Sequence, residues 1–287
     1  METEWTALVS AVELAANLGD RDVVVVDCRA SLADPGQGRR DWLSAHIPGA
    51  RHARLEDELS GPAAAAAGRH PLPASGALCA HLGAWGIMPS TQVVAYDAAD
   101  GAMAAARLWW LLRSLGHRRA AVLDGGLAAW RDAGLPLQEG EESWQPALYA
   151  DPGYLPGEWL DSDELRARLD HTGHCLVDAR AAERFRGEVE PIDPVAGHIP
   201  GARNRPYTAN LQDSGLFKPA SQLREEWEEL IAPNRPADVL LMCGSGVTAC
   251  HHRLAMAHAG LEGARVYAPS WSGWISDPAR PVATGQA

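Results

Sequence analysis

Short runs of consecutive apolar residues recur along this chain, separated by stretches of helical period. Val23-Val24-Val25-Val26, Gln92 to Tyr96, Ala120 to Leu123, Leu176-Val177 and Val239-Leu240-Leu241-Met242 each read as a buried strand. Between them, apolar positions return every three or four residues near 12–18, over 103–115 and over 247–259, and these segments are predicted helices. Strands with no polar alternation, separated by helices, predict an α/β fold in which a parallel sheet is covered by helices on both faces. In such a sheet, ligands bind beyond the carboxyl ends of the strands.

The pattern occurs twice. Val26-Asp27-Cys28-Arg29 returns as Val177-Asp178-Ala179-Arg180, and His46-Ile47-Pro48-Gly49-Ala50-Arg51 returns as His198-Ile199-Pro200-Gly201-Ala202-Arg203. The offsets are 151 residues from Asp27 to Asp178 and 152 from His46 to His198. Val93 to Asp97 matches Val239 to Cys243, and Gly126 to Trp130 matches Ser270 to Trp274. Two copies this far apart indicate a duplicated domain, because a solenoid would repeat at a much shorter period. The polar, aperiodic stretch that begins at Gln138 reads as the connection. The expected division is 1–140 as an N-terminal domain, 141–155 as linker and 156–287 as a C-terminal domain.

Asp97 and Cys243 fall at equivalent strand ends. The first copy continues as Asp97-Ala98-Ala99-Asp100-Gly101, and the second as Cys243-Gly244-Ser245-Gly246-Val247-Thr248-Ala249-Cys250. Only the second is equipped for thiol chemistry, so the first copy is expected to be scaffold. Gly244 and Gly246 let the peptides after Cys243 curl tightly before the next helix. The amides of residues 244–248, including those of Val247 and Thr248, together with the positive end of the helix dipole, should converge on the sulfur and favour its thiolate. A buried structural cysteine is the plainer alternative. A Cys-x5-Arg phosphatase loop is disfavoured, since the sixth residue after Cys243 is Ala249 and no guanidinium follows to clamp a phosphoryl group.

Composition narrows the field further. A chain of 287 residues, 46% hydrophobic and 22% charged, has enough apolar material for two cores. No apolar run approaches the roughly 20 residues of a membrane span, and the acidic start lacks the features of a leader, so a cytoplasmic location is expected. The five cysteines form no CxxC pair, which argues against a disulfide framework or a zinc site. A net charge of −12 disfavours nucleic acid as a partner, and a small anionic substrate would need a local group of arginines.

The duplicated pattern, the HIPGA segments, the Asp-x-Arg strand ends and the CGSGVTAC loop together resemble the two-domain rhodanese family of sulfurtransferases. The resemblance covers nearly the whole chain. It implies that Cys243 carries a sulfane sulfur as a persulfide, taken from thiosulfate or 3-mercaptopyruvate and passed to cyanide, a thiol or a thioredoxin-like protein, with no metal or organic cofactor. A ring of peptide N–H groups suits such a soft anion. The neutral Gly244-Ser245 pair resembles the mercaptopyruvate branch, whereas the thiosulfate branch tends to carry basic residues there.

Arg184 matches a substrate-binding arginine of the family. Arg186 is a possible assistant, because Asp193 stands where mercaptopyruvate enzymes often carry a second arginine. Ser245 has two readings: a donor contact or proton-transfer group, and a small residue capping the helix. His46 also has two: the histidine that the mercaptopyruvate branch places near its cysteine, and a structural turn residue, which its repetition as His198 suggests. Repetition equally favours a structural ion pair for Arg29 and Arg180. A thiosulfate-specific enzyme, and a non-enzymatic persulfide relay fed by a partner protein, are the alternatives.

Overall fold

The computed structural model describes residues 4–98, 101–169 and 173–286; Ala99 and Asp100, in the first copy's counterpart of the cysteine loop, lie outside them. The chain divides into two compact units. The first comprises Met1–Gly61, Pro73–Leu155 and Asp213–Leu216; the second comprises Pro62–Leu72, Pro156–Gln212 and Phe217–Ala287.

In the first unit the strands are β1 (Leu8–Val9), β2 (Val23–Asp27), β3 (Arg51–His52), β4 (Gln92–Tyr96) and β5 (Ala120–Leu123). They form one parallel sheet in the order β1-β5-β4-β2-β3, with helices that include Ala104–Ser114 between strands. The second unit repeats this with β6 (Trp159–Leu160), β7 (Cys175–Asp178), β8 (Arg203–Asn204), β9 (Val239–Met242) and β10 (Arg265–Tyr267), in the order β6-β10-β9-β7-β8. Both are the helix-covered parallel sheets that the apolar runs predict.

Register makes the duplication quantitative. Asp27 pairs with Tyr96 across β2 and β4, and Asp178 pairs with Met242 across β7 and β9. Asp97 and Cys243 are therefore equivalent, each the first residue beyond its central strand. The central strands are fully buried, which is why their sequences show no alternation. Around the second sheet, Leu176, Leu240, Met242, Tyr267, Trp271 and Trp274 belong to one continuous core. Trp271 and Trp274 are thus core aromatics: their indole N–H groups donate to the carbonyls of Val195 and Pro281 at 2.9 Å each.

The Asp-x-Arg ends are structural in both units. Asp27 receives the Arg29 Nη2 at 2.6 Å, while the same nitrogen reaches the Ala45 carbonyl at 2.7 Å. Asp178 receives the Arg180 Nη2 at 2.7 Å, while that nitrogen reaches the Gly197 carbonyl at 2.8 Å. Each pair is buried and hydrogen-bonded through both partners, the condition under which a buried charge pair is tolerated. Each ties the end of its strand to the segment leading into Ile-Pro-Gly.

Candidate active site

Cys243 sits at the carboxyl end of the central strand β9, where a parallel sheet exposes its ligand-binding edge. The loop after it is held by α10 (Ser270–Trp274), which follows β10. Ser270 Oγ accepts from the Cys243 amide at 3.1 Å, the Trp271 amide donates to the Cys243 carbonyl at 3.0 Å, and the Ser272 amide donates to the Gly244 carbonyl at 2.9 Å. Ser270 adopts a left-handed conformation, φ 51°, to deliver its hydroxyl. The Gly246 amide donates to the Cys243 sulfur at 3.2 Å. Gly246 has φ +80°, and a Cβ there would run into the Ala268 carbonyl oxygen, so this tight curl requires glycine.

The helix after the loop, α9, spans Ala249–His258, beginning two residues later than the pattern over 247–259 suggests. Val247 and Thr248 remain in the connecting turn. Cys250, in the first turn of α9, is fully buried and donates its thiol to the Gly246 carbonyl at 3.3 Å. It packs behind the loop as a core residue.

Above the loop stand two guanidiniums. A Cβ built on Gly244 would lie 3.2 Å from Arg69 Nη2 and 3.7 Å from Arg184 Nη2, so the absence of a side chain at Gly244 leaves room for both. Arg184 comes from α7 (Ala182–Phe185), just after β7, and donates through Nη2 to Glu190 at 2.7 Å and to Asp193 at 3.2 Å. Arg69 comes from far away in sequence. Its amide donates to Ser272 Oγ at 3.0 Å, and its Nη1 is hydrogen-bonded to the other oxygen of Asp193.

Beside Arg69, His70 Nδ1 shares a 2.8 Å hydrogen bond with Ser245 Oγ. Both residues are buried. A hydroxyl held by an imidazole at the mouth of a cysteine loop can pass a proton or polarise a carbonyl.

The carboxyls beneath the arginines differ. Burial pushes Asp193 above the ordinary aspartate range, with Arg69 opposing that rise and Glu190 adding to it. Burial also acts to raise Glu190, but hydrogen bonds from Arg184 and from the Asp193 and Ile192 amides outweigh it and leave that carboxyl lowered.

Two further expected site residues have partners within their own units. His46 is fully buried in the first unit, stacked on Trp42 with ring centroids 4.8 Å apart, and its Nδ1 bonds the Trp42 carbonyl at 2.7 Å. His198 does the same in the second unit, stacked on Phe185 with Nδ1 on the Phe185 carbonyl at 2.8 Å. Both rings thus share a stacked, carbonyl-bonded setting beside Ile-Pro-Gly, while His46 Nε2 additionally lies 3.6 Å from a Glu142 oxygen; within the second unit, the histidine at Ser245 is His70. Arg186, in turn, is bound by Glu188 through two 2.8 Å bonds at the protein surface, which satisfies its guanidinium there. Sequence reasoning misses Arg69 and His70 because they lie in an aperiodic Ala-, Gly- and Pro-rich segment about 170 residues before the cysteine. The legible signal was an Arg-His pair in a segment with no structural reason to carry either. Among the described residues, no group of three or more metal-ligating side chains occurs.

A cysteine at the end of a buried parallel strand, bonded by a loop amide and faced by guanidiniums, is an arrangement suited to thiol-dependent group transfer on small anions. Comparison with known proteins gives the particular class. The model of the rhodanese-like domain matches residues 10–133 and again 161–277. A Pseudomonas aeruginosa protein provisionally named a 3-mercaptopyruvate sulfurtransferase is 50% identical over 284 residues, covering 97% of this chain and 98% of the relative. A Mycobacterium tuberculosis protein provisionally named a thiosulfate sulfurtransferase is 40% identical over 292 residues, covering 100% of both. The solved structure of 3-mercaptopyruvate sulfurtransferase from Leishmania major superposes with a TM-score of 0.81 at 32% identity, covering 93% of this chain and 73% of that one. The chain belongs to the rhodanese family, as a sulfurtransferase built from two rhodanese-like domains. Among the described residues, no helix is long and apolar enough to cross a membrane.

Proposed function

We propose that this sulfurtransferase uses 3-mercaptopyruvate as its preferred donor, with Cys243 as the sulfur carrier and a cyanide- or thiol-type acceptor, a thioredoxin-like protein among them. The Cys243 thiolate attacks the donor's mercapto sulfur. A sulfur–sulfur bond forms and the carbon–sulfur bond breaks, its electron pair leaving on carbon as the enolate of pyruvate, which takes up a proton. The acceptor's nucleophile then attacks the outer sulfur of the persulfide and returns the cysteine as thiolate. Thiosulfate is the second donor, with sulfite as its leaving group.

The observation that carries this reading is the Arg184 guanidinium standing over Gly244, next to a sulfur that already receives the Gly246 amide. An anion held by that fork brings its terminal sulfur towards the loop. The amides of residues 244–248 then hold the persulfide anion, and Ser245 with His70 serves the donor's carbonyl and the proton that its enolate needs. Asp193 in place of a cation favours a donor of low charge.

Steady-state turnover of 3-mercaptopyruvate and of thiosulfate, each with cyanide, on the wild type and on Cys243→Ser tests the reading. Turnover of 3-mercaptopyruvate with the higher kcat/KM, abolished in the variant, is expected. No turnover with either donor would leave a persulfide relay fed by a partner protein as the better account.

A further inference from the structure

We infer that Asp193 sets the donor charge this site accepts, by holding Arg69 and Arg184 on a single carboxylate so that the guanidinium–carboxylate set around the anion pocket carries no net charge. The groups around the mouth can be counted from their bonds. Arg69 and Arg184 both reach Asp193, Arg184 also reaches Glu190, Arg180 lies 3.5 Å from Glu190, and Arg180 is paired with Asp178. Three guanidiniums thus interlock with three carboxylates.

Asp193 occupies a particular place in this set. Its side chain is only 3% exposed, whereas that of Arg69 is 31% exposed and that of Arg184 is 16% exposed. The carboxylate lies below and the cations lie at the surface of the site, facing Gly244. An incoming anion meets guanidinium donors directly, but the long-range field it feels is that of the whole neutral set. Directional hydrogen bonds remain available to a planar carboxylate. A compact dianion, whose binding depends more steeply on field, gains least. 3-Mercaptopyruvate carries one carboxylate charge and thiosulfate carries two, so the arrangement selects the former. The selection rests on the sulfurtransferase reading only for the names of the donors. The charge discrimination is a property of the site itself.

That separation allows a test that needs no turnover. Alkylation of Cys243 by iodoacetamide is followed in wild type, Asp193→Asn and Arg69→Gln, with pyruvate as a monoanionic protectant and sulfate as a dianionic one. Asp193→Asn keeps the shape and one acceptor while adding one net positive charge. A field effect scales with ligand charge, so the fold-change for sulfate should be the square of that for pyruvate. An approximately fivefold fall in the half-protecting concentration of pyruvate should accompany an approximately 25-fold fall for sulfate. Arg69→Gln, at a part-exposed position, should shift both the other way, sulfate again more. In donor assays the kcat/KM ratio of thiosulfate to 3-mercaptopyruvate should rise in Asp193→Asn and fall in Arg69→Gln. Equal fold-changes for the two protectants, or a shift of both variants in the same direction, would overturn the inference, because Asp193 would then act only as a tether. Charge-dependent protection in a protein that turns over neither donor would sustain this inference while rejecting the sulfurtransferase reading of the site.

Discussion

Ser270 is the residue on which the candidate loop most visibly depends, and two substitutions separate its two contributions. It is fully buried, sits at φ 51°, accepts from the Cys243 amide at 3.1 Å and donates to the Tyr267 carbonyl at 3.0 Å. A non-glycine residue in the left-handed region costs about 1–2 kcal/mol. The matched residue of the first unit is Gly126, at φ +56°, so the same turn is made there without that cost. Ser270→Ala retains the strained backbone and removes both bonds, leaving the buried Cys243 amide without its hydroxyl; the loss should be about 2–3 kcal/mol. Ser270→Gly loses the same bonds but relieves the backbone. Allowing for the greater chain entropy of glycine when unfolded, it should be about 1 kcal/mol more stable than Ser270→Ala while still below wild type.

Urea unfolding followed by tryptophan fluorescence reads this order as midpoints, with about 0.3–1 M between the two variants for slopes of about 1–3 kcal/mol/M. Activity should not follow the same order. Both variants free the Cys243 amide from its hydroxyl, so both should lose kcat/KM to a similar extent, about tenfold. A Ser270→Ala protein as stable as Ser270→Gly would refute the strain argument. Unchanged activity in both would refute the claim that this hydroxyl sets the loop.

The His70–Ser245 pair should behave as one unit: Ser245→Ala and His70→Ala should each lower kcat by about 10–100-fold, and the double variant should be no worse than the poorer single one. Additive losses in that cycle would mean the two act separately. Elsewhere in the second unit, Glu226 offers a pH test. Burial works to raise its carboxyl, yet hydrogen bonds from Arg205, Lys218 and Gln222 bring it down to about 2. A carboxyl depressed in the folded state adds stability above its unfolded value, and that contribution is lost as the pH falls from the ordinary glutamate range towards 2. Glu226→Gln should therefore flatten the fall in Tm between pH 5 and pH 3 compared with wild type. Parallel Tm curves would show that the bonds to Glu226 do not discriminate between its protonation states.

Much of the architecture was legible because burial on both faces writes strands as plain apolar runs. Val23 to Asp27, Gln92 to Tyr96, Ala120 to Leu123 and Val239 to Met242 are strands as read, and the helix over 103–115 is observed at Ala104–Ser114. Repetition did more than periodicity: the ion-pair reading of Arg29 and Arg180 came from their recurrence, and the structure shows the same bonds in both. Loops were harder. The start of α9 was misplaced because the helical pattern was extended back over Val247 and Thr248, β-branched residues that lie in the turn preceding the helix. His46 was singled out by the family resemblance, while its recurrence as His198 favoured a structural hydrogen bond, and both rings do bond a backbone carbonyl. Arg69 and His70 carry no periodicity, and their partners are set by tertiary placement of an aperiodic segment, which no local pattern encodes.

That placement follows from the duplication itself. Pro73-Ala74-Ser75 leads into one helix, Ser75–Ala84, and Pro219-Ala220-Ser221 runs into the first turn of its counterpart, Ala220–Ile231. The segment just before each belongs to the opposite unit: Pro62–Leu72 to the second, and Asp213–Leu216 to the first. In the first unit, Leu216 closes on Gly125, where a Cβ would lie 2.7 Å from its Cδ2. In the second unit, the equivalent strap closes on α10 through the Arg69 amide and Ser272. One duplicated device thus has two contents, Gly215-Leu216 and Arg69-His70. The first is an apolar plug, and the second brings a cation and an imidazole to the loop of Cys243. A cut at the polar connection near 141–155 would leave Arg69 and His70 on the fragment without the cysteine, so 156–287 alone would retain the thiol and its amides but lose the Ser245 partner and one of the two guanidiniums over Gly244.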